Sequence, residues 1–566
     1  MRNKLASVIS FLLILLTFTA CSKEYTLSLS VDTSGCTITS EPSGSTYTAG
    51  ESITLTATAA EGYSFSSWSN ADSYLTSDSS SDNNVITITM PSSDISIEAN
   101  FEGDAVNIIS SGATSGDGWT FFIYMAGDNT LSDYVPLDIN EMEQGLYDSY
   151  STNTSISDDV KVLVLVDQDQ NNDSKLYLIQ PDNNSNTINS TRITNDTYTE
   201  SLELDMSDPD TVTTFLEYGL ENFSSTRNAL IIWNHGGGAK STTVATASKE
   251  FCEDDSGGGY LYTNELQSAL ASCFTADADD PPLDFIGFDA CFMGTIEEAY
   301  EFREYTKYFA ASMASEWGYG WDYEEIFNNF SSSGSTPTAS EMADISVKQY
   351  YLSTTDSTAS SYAHSMAALD TSKLETVKSK IDSLAALVYN SGSSDYETEF
   401  ESLRDDSAFV AIYSTNASYI VYYPYYDLYD FCENITNSEK FSDDVKNVAT
   451  SVNTALADAV VACYGNSVNL DNTAKYDSLG WDYYNLTDSD AVRGLSILIP
   501  NGETTTITTS SGTQVKPYDY CDWYTSSEIT GEEYGGLDFC TYDDDSTVET
   551  WRELFEAWYA GDEAEY

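Results

Sequence analysis

Apolar and polar positions recur with a period of two in "YTLSLSV", "SITLTATA", "NVITITM" and "ISIEANF", all between residues 24 and 102. Successive side chains of a strand point to opposite faces, so these stretches predict half-buried strands with Ser/Thr-rich outer faces. A small all-β module over 24–102 follows, with Tyr63, Phe65, Trp68 and Phe101 as its core. The Gly/Ser-rich "EGDAVNIISSGATSGDG" predicts a linker over 103–118.

From Trp119 the alternation gives way to continuous apolar runs: "WTFFIYMAGDN", "VKVLVLVDQD", "ALIIWNHGGG", "LDFIGFDACFMG", "YFAASMASE" and "GLSILIPNG". Such runs suit strands covered on both faces. Between them lie helical patterns. "DPDTVTTFLEYGLENF" opens on Asp/Pro start signals, and "MGTIEEAYEFREY" and "LETVKSKIDSLAALVYN" are amphipathic. Strands alternating with helices predict an α/β domain over 119–566 with a mostly parallel sheet. In such sheets the reactive site lies beyond the carboxyl ends of the strands.

Charge and the N-terminus narrow the setting. With 22 Lys+Arg against 91 Asp+Glu the net charge is −69, a surface that repels phosphate backbones and excludes nucleic acid as a partner. Arg2 and Lys4 precede an apolar run from Val8 to Phe18, so residues 1–20 read as a signal peptide. The run ends "TFTAC", which resembles a bacterial lipoprotein cleavage site with Cys21 as the lipidated residue. Phe18 stands where leucine is usual, which keeps plain secretion as the alternative to a lipid anchor in the membrane face. The other cysteines suit an oxidising compartment without revealing their pairing.

The chain has only 2 histidines. His364, in "SSYAHSMAALD", sits in a helical pattern and reads as a packing or surface residue. His235 stands one residue past an apolar strand and is followed by three glycines. Cys291 likewise follows a strand, with a helical pattern behind it whose N-terminus favours a thiolate. An imidazole that takes a thiol proton makes cysteine a nucleophile. Gly236, without a side chain, can bring its N–H to a developing oxyanion, with the Cys291 N–H as second donor. No G-x-S-x-G elbow is present to make "HGGG" a lipase loop.

"NHGGG", "DFIGFDACFMGTIEEAYE", "FAASMASEWGYGWDY" and "GLSILIPN" resemble the clostripain family of cysteine peptidases, in order and from about Trp119 onward. The resemblance implies a caspase-like α/β/α sandwich and a His–Cys dyad at His235 and Cys291. It also implies cleavage of protein or peptide substrates after Arg or Lys, with Asp289 in the pocket for the basic side chain. Family members often carry a longer acidic loop after "ASE". Here the stretch is only "SEWGYGWDY", so a second pocket acid falls to Glu316 or Asp322. Some relatives are matured by cutting themselves between the two catalytic strands, which here points to Lys249 in preference to Lys240. Some depend on calcium. "DQDQNND" (Asp167 to Asp173) begins with calcium-loop spacing but lacks the later glycine and acid, so it reads as a solvated loop, and no cofactor is assigned. The segment "YTAGESITLTATAAEGYSFSSWS" resembles the β-repeat modules of bacterial surface proteins. Two other readings stay open: a non-catalytic surface binding protein on a peptidase-like fold, and an esterase or transferase using the same dyad.

Overall fold

The computed structural model describes residues 23–31, 36–59, 63–103 (without 77–78 and 80–82), 118–152, 160–238 (without 186) and 251–331 (without 317). It also describes 336–355, 364–414 (without 408 and 411–412), 425–466, 494–499, 536–541, 547–559 and short strand pieces at 481–482, 507–508 and 514–515. Cys21, Lys240, Lys249 and nearly all of the 103–118 linker lie outside the described residues. The chain divides into two compact units, residues 1–104 and 105–566.

The first unit holds β1 (Glu24–Val31), β2 (Thr37–Glu41), β3 (Thr46–Thr48), β4 (Ser52–Thr58), β5 (Tyr63–Ser69), β6 (Val85–Thr89) and β7 (Ile95–Gly103). They form one sheet in the order β3-β1-β7-β5 and another in the order β2-β4-β6. The inward residues of the alternating stretches, among them Leu27, Ile53, Leu55, Ile86 and Ile97, make the core. Trp68 and Phe101 are buried in it, and Phe65 packs on both with ring centroids 5.5 and 6.0 Å away. The Tyr63 side chain is outside the described set.

The second unit runs β8 (Trp119–Ala126), α1 (Val135–Thr152), β9 (Val160–Asp167), β10 (Lys175–Leu178), β11 (Thr191–Ile193), α2 (Pro209–Phe223) and β12 (Arg227–Trp233). It continues with β13 (Phe251–Asp254), β14 (Gly259–Leu261), α3 (Thr263–Cys273), β15 (Phe285–Asp289), α4 (Ile296–Glu301), β16 (Tyr308–Ser312), α5 (Tyr323–Asn328) and α6 (Ala339–Thr355). The last part contains β17 (His364–Asp370), α7 (Leu374–Asn390), α8 (Ser394–Asp406), β18 (Tyr425–Asp427), α9 (Leu428–Asn437), α10 (Asp443–Ala459), β19 (Val460–Asn466), β20 (Ser496–Leu498) and α11 (Trp551–Tyr559). Nine strands form one sheet in the order β11-β10-β9-β8-β12-β15-β16-β17-β19. The five central strands β9, β8, β12, β15 and β16 are parallel, and the outer strands on both sides are antiparallel.

The continuous apolar runs are explained by two cores. Along β8, Trp119, Phe121, Ile123 and Met125 join the core beneath α1, α5 and α6. Phe122, Tyr124 and Ala126 join the core beneath α2, α3, α7, α9 and α10. Both faces are dry, so no polar alternation survives, and the result is an α/β/α sandwich with a mostly parallel sheet. The signals for α2 hold in detail: Asp208 caps it by accepting the Asp210 N–H, and Pro209 stands at its first turn. Helix α7 spans the whole of "LETVKSKIDSLAALVYN".

Three local expectations are corrected. "MGTIEEAYEFREY" gives only the short α4, after which Tyr305 N–H turns back onto the Phe302 carbonyl at 2.9 Å. The acids that make this stretch look amphipathic are buried and bonded to other elements: Glu297 accepts from Leu498 N–H and Glu301 from Phe539 N–H, both at 2.9 Å. "GLSILIPN" supplies β20, which pairs with β18 outside the main sheet. "AHSMAALD" is strand β17, and His364 is buried in it, 3.2 Å from the Tyr350 hydroxyl through Nδ1. Packing was its expected role; its element was not helical.

Candidate active site

Trp233 and Asp289 are register partners in β12 and β15, and the Asn234 N–H donates to the Asp289 carbonyl at 3.2 Å. His235 and Cys291 therefore leave neighbouring parallel strands at matching positions, at the carboxyl edge of the sheet. The glycine after the histidine makes this approach possible. A Cβ on Gly236 would collide with the Cys291 carbonyl oxygen and come within 3.0 Å of the Cys291 N. Gly236 also bridges to Phe251 at the start of β13. Gly238 has φ of +73°, a region costly for residues with a Cβ, and the Tyr425 hydroxyl donates to the Gly237 carbonyl at 3.1 Å. Strand β18 thus braces the glycine loop from the far end of the chain.

The histidine has a partner that the sequence reading did not find. Its Nε2 lies 2.8 Å from the Thr130 hydroxyl. Thr130 follows β8, the strand next to β12, so it emerges at the same edge. With Nε2–H donated to the threonine oxygen, Nδ1 carries the lone pair that a base needs. The only signal in the sequence was position: "MAGDNT" continues an apolar strand as "NHGGG" does.

The Cys291 sulfur accepts the Glu316 N–H at 3.2 Å. A donor aimed at sulfur favours the thiolate. This replaces the helix-dipole account. Helix α4 begins only at Ile296, capped by the Thr295 hydroxyl, and the intervening N–H groups are spent elsewhere: Phe292 on the Ala314 carbonyl (3.0 Å) and Gly294 on that of Ser312 (2.7 Å). Phe292 has φ of +62° while its ring is buried. A bulky residue in the left-handed region marks a sharp, over-determined turn directly behind the cysteine.

Beside the sulfur lies a pit of acids. Asp289 is only 4% exposed and accepts the Tyr323 hydroxyl at 2.9 Å and the Trp321 N–H at 3.2 Å. Glu316 faces it closely enough for the Asp289 charge to raise it, and neither of its buried carboxyl oxygens has a hydrogen-bond partner. Burial is the main cause that raises both, Asp289 to about 6 despite its donors, and Glu316 further because the Asp289 charge adds to burial. Beneath them Asp138 accepts the Trp233 indole N–H at 2.6 Å and is raised by burial and then by Asp289. Of the two acids suggested as partners for Asp289, Glu316 lies against it. Asp322 instead caps α5 by accepting the Glu325 N–H at 3.0 Å.

A second group of acids lies at the ends of β8, β9 and β13. Asp128, Asp167 and Asp254 bring one carboxylate oxygen each within 4.8 Å of one another, and Asp167 makes a like cluster with Asp173 and Glu203. Residues 169–172 are exposed, as the reading of a solvated loop has it, but Asp167 is fully buried.

Two family models and several known proteins match this chain. Residues 25–105 match the Divergent InlB B-repeat domain. Clostripain from Hathewaya histolytica is 28% identical over 486 residues, 78% of this chain and 86% of that protein. A secreted cysteine protease from Bacteroides thetaiotaomicron, solved with an irreversible peptide inhibitor, is 19% identical, covers 69% of this chain and 94% of its own, and has a TM-score of 0.47. An inactive zymogen protease from Parabacteroides distasonis is 18% identical over 69% and 94%, with a TM-score of 0.49. The described Clostripain family matches residues 123–558, which takes in the glycine loop, the cysteine turn and the braces behind both. With that match over most of its length, this chain belongs to the clostripain family and is a cysteine endopeptidase.

Proposed function

We propose that the protein is an exported endopeptidase that cleaves after Arg or Lys through His235 and Cys291. One observation carries this reading: His235, held at Nε2 by Thr130, and Cys291, with an N–H donor on its sulfur, leave adjacent strands beside a buried, uncompensated pair of carboxyls. His235 takes the thiol proton, and the sulfur attacks the carbonyl carbon of the substrate. The tetrahedral oxyanion is held by the N–H groups of Gly236 and Cys291. As it collapses, the C–N bond breaks and His235 protonates the departing amine. Water, giving its proton to His235, then cleaves the thioester. A guanidinium or ammonium group of the substrate enters beside Asp289 and Glu316, displaces the proton that burial and the Asp289 charge keep on Glu316, and forms charge-assisted hydrogen bonds, typically worth ~1.5–3 kcal/mol each.

In this reading residues 1–20 are a signal peptide, Cys21 carries a lipid anchor, 24–102 is the surface module, 103–118 the linker and 119–566 the peptidase.

The test is a panel of amide and ester substrates ending in Arg, Lys or Asp, run on wild type and on Cys291→Ala, His235→Ala and Asp289→Ala. Both dyad variants are expected to lose amide hydrolysis while keeping the far-UV spectrum of the parent. Asp289→Ala is expected to lose about tenfold or more on Arg and Lys substrates. Turnover by either dyad variant above a mock preparation would sink the dyad, and an unchanged basic preference in Asp289→Ala would move specificity elsewhere. Given a site that accepts lysine, self-cleavage after Lys249 is expected. N-terminal sequencing should find a new terminus at Glu250 in wild type and none in Cys291→Ala; an uncut, fully active wild type ends that idea.

A further inference from the structure

Thr130 and His235 each follow an asparagine, and the two asparagines share their partners. Asn129 and Asn234 are only 6% and 4% exposed. The side-chain amide of Asn129 donates to the Ala126 carbonyl at 3.0 Å and to the Glu253 carbonyl at 2.9 Å. The amide of Asn234 donates to the same two oxygens, that of Ala126 and, at 3.3 Å, that of Glu253. Ala126 ends β8 and Glu253 lies in β13.

The four bonds spend both N–H groups of each amide and give each carbonyl two donors. The amide oxygens are engaged as well. Asn129 Oδ1 accepts the Leu131 N–H at 2.9 Å, which closes a turn around Thr130. Asn234 Oδ1 accepts the Glu253 N–H at 3.0 Å. Each amide has a backbone N–H on one side and two carbonyls on the other, so neither can turn over without setting like against like. Aspartate has the same shape but no hydrogen to give to either carbonyl.

This square stands where backbone pairing stops. The ladder between β8 and β12 ends at Met125 and Trp233. Just beyond it, the two amides continue the link across the gap between the strands. One residue further on, the Thr130 hydroxyl and His235 Nε2 lie 2.8 Å apart in an exposed contact. Water competes for such a contact, so its geometry depends on what holds the two loops. A buried, fully satisfied polar network is rigid.

We propose that Asn129 and Asn234 are positioning residues of the general base: their shared hydrogen bonds hold Thr130 against Nε2 and so keep the lone pair of the imidazole on Nδ1. The partner of one ring nitrogen selects the tautomer, and the tautomer decides which nitrogen can take a proton. The inference rests on His235 being the base, as proposed above. With the polar atoms of both amides spent in the square and its turns, the asparagines act on the chemistry through Thr130 and His235.

The chain's 2 histidines make the tautomer directly readable by NMR. The sample is the full chain with histidine isotope-labelled at the ring nitrogens, in the Cys291→Ala background at pH ~8.5, about two units above the ordinary histidine value. The signal that His235→Ala removes is expected to show the Nε2–H form. Asn129→Ala and Thr130→Val are expected to turn it into a mixture of both tautomers. In the active enzyme, Asn129→Ala and Asn234→Ala are each expected to lower kcat by about ten- to a hundredfold, the scale of a misplacement of about 1 Å. KM is expected to change by less than about threefold, since substrate binding is not touched. In a Thr130→Val background Asn129→Ala is expected to lose most of its effect, because the hydroxyl it acts through is already gone. Should either asparagine variant fail to fold, the parent tautomer and the other variant decide. An Nδ1–H form in the parent overturns the proposal. So does a kcat within about twofold of wild type in a folded asparagine variant, and so do fully additive losses with Thr130→Val. Those outcomes leave the dyad standing, whereas turnover by His235→Ala ends both readings.

Discussion

The backbone of Gly236 runs so near the Cys291 carbonyl that no Cβ fits between them. The cost of a side chain there falls on the chemistry, because the same peptide would supply an N–H to the oxyanion. Gly236→Ala is expected to lower kcat by about 100- to 1,000-fold, the usual worth of one such donor. The expected loss of stability is smaller, about 1–3 kcal/mol for an overpacked methyl. Steady-state kinetics beside urea unfolding separate the two. If kcat stays at the wild-type value in a folded Gly236→Ala protein, the glycine only makes room for the chain and supplies no donor.

The elements carrying the site come from distant parts of the sequence, and the most remote is β18. Its Tyr425 hydroxyl reaches the Gly237 carbonyl, and its ring fills the space beside Gly238, where a Cβ would stand 2.6 Å from the hydroxyl oxygen. β18 in turn pairs with β20, whose Ser496 N–H donates to the Gly294 carbonyl at 3.0 Å in the turn behind Cys291. One small sheet thus braces both the glycine loop and the cysteine turn. Tyr425→Phe keeps the ring and removes one hydrogen bond, typically worth ~0.5–1.5 kcal/mol. A two- to tenfold loss in kcat/KM is expected. The same loss should not appear in the melting temperature of the sheet. A variant with unaltered kcat/KM shows that the glycine loop holds its shape without β18.

Across the whole molecule, acids are buried in number. Burial raises Glu141, Glu143 and Glu298 to about 8 and Glu301 to about 7. Each keeps its proton in the folded state at a pH where the unfolded chain has released it. Between pH ~4.5 and ~8 the folded chain therefore binds more protons, so stability falls as pH rises and levels off above pH ~8. One such group contributes up to about 1.4 kcal/mol per pH unit. Urea unfolding of Cys291→Ala at pH 5.5 and pH 8 should find the more acidic sample more stable. Glu298→Gln keeps a partner for the Thr263 hydroxyl, which donates to Glu298 at 2.7 Å, and should flatten the slope. An equal slope in that variant would mean that Glu298 is ionised in the fold.

Periodicity was enough to divide the chain into alternating strands and buried strands, because the number of dry faces is written into the local pattern of apolar residues. The strand-end positions of His235 and Cys291 were legible for the same reason, and so was Gly236, since only a missing side chain explains a glycine run there. Contacts made across the sheet left no such trace. Thr130 meets His235 because β8 happens to lie beside β12, and Glu316 meets both Cys291 and Asp289 because the β16 loop folds back over β15. The buried acids of α4 read as one polar face of a surface helix, since a carboxylate looks the same in sequence whether water or a backbone N–H satisfies it. Asp167 looked like part of an exposed loop until Asp128 and Asp254 were brought beside it. Local pattern reports how a residue meets its own element; which distant groups it meets is settled by the order of strands in the sheet.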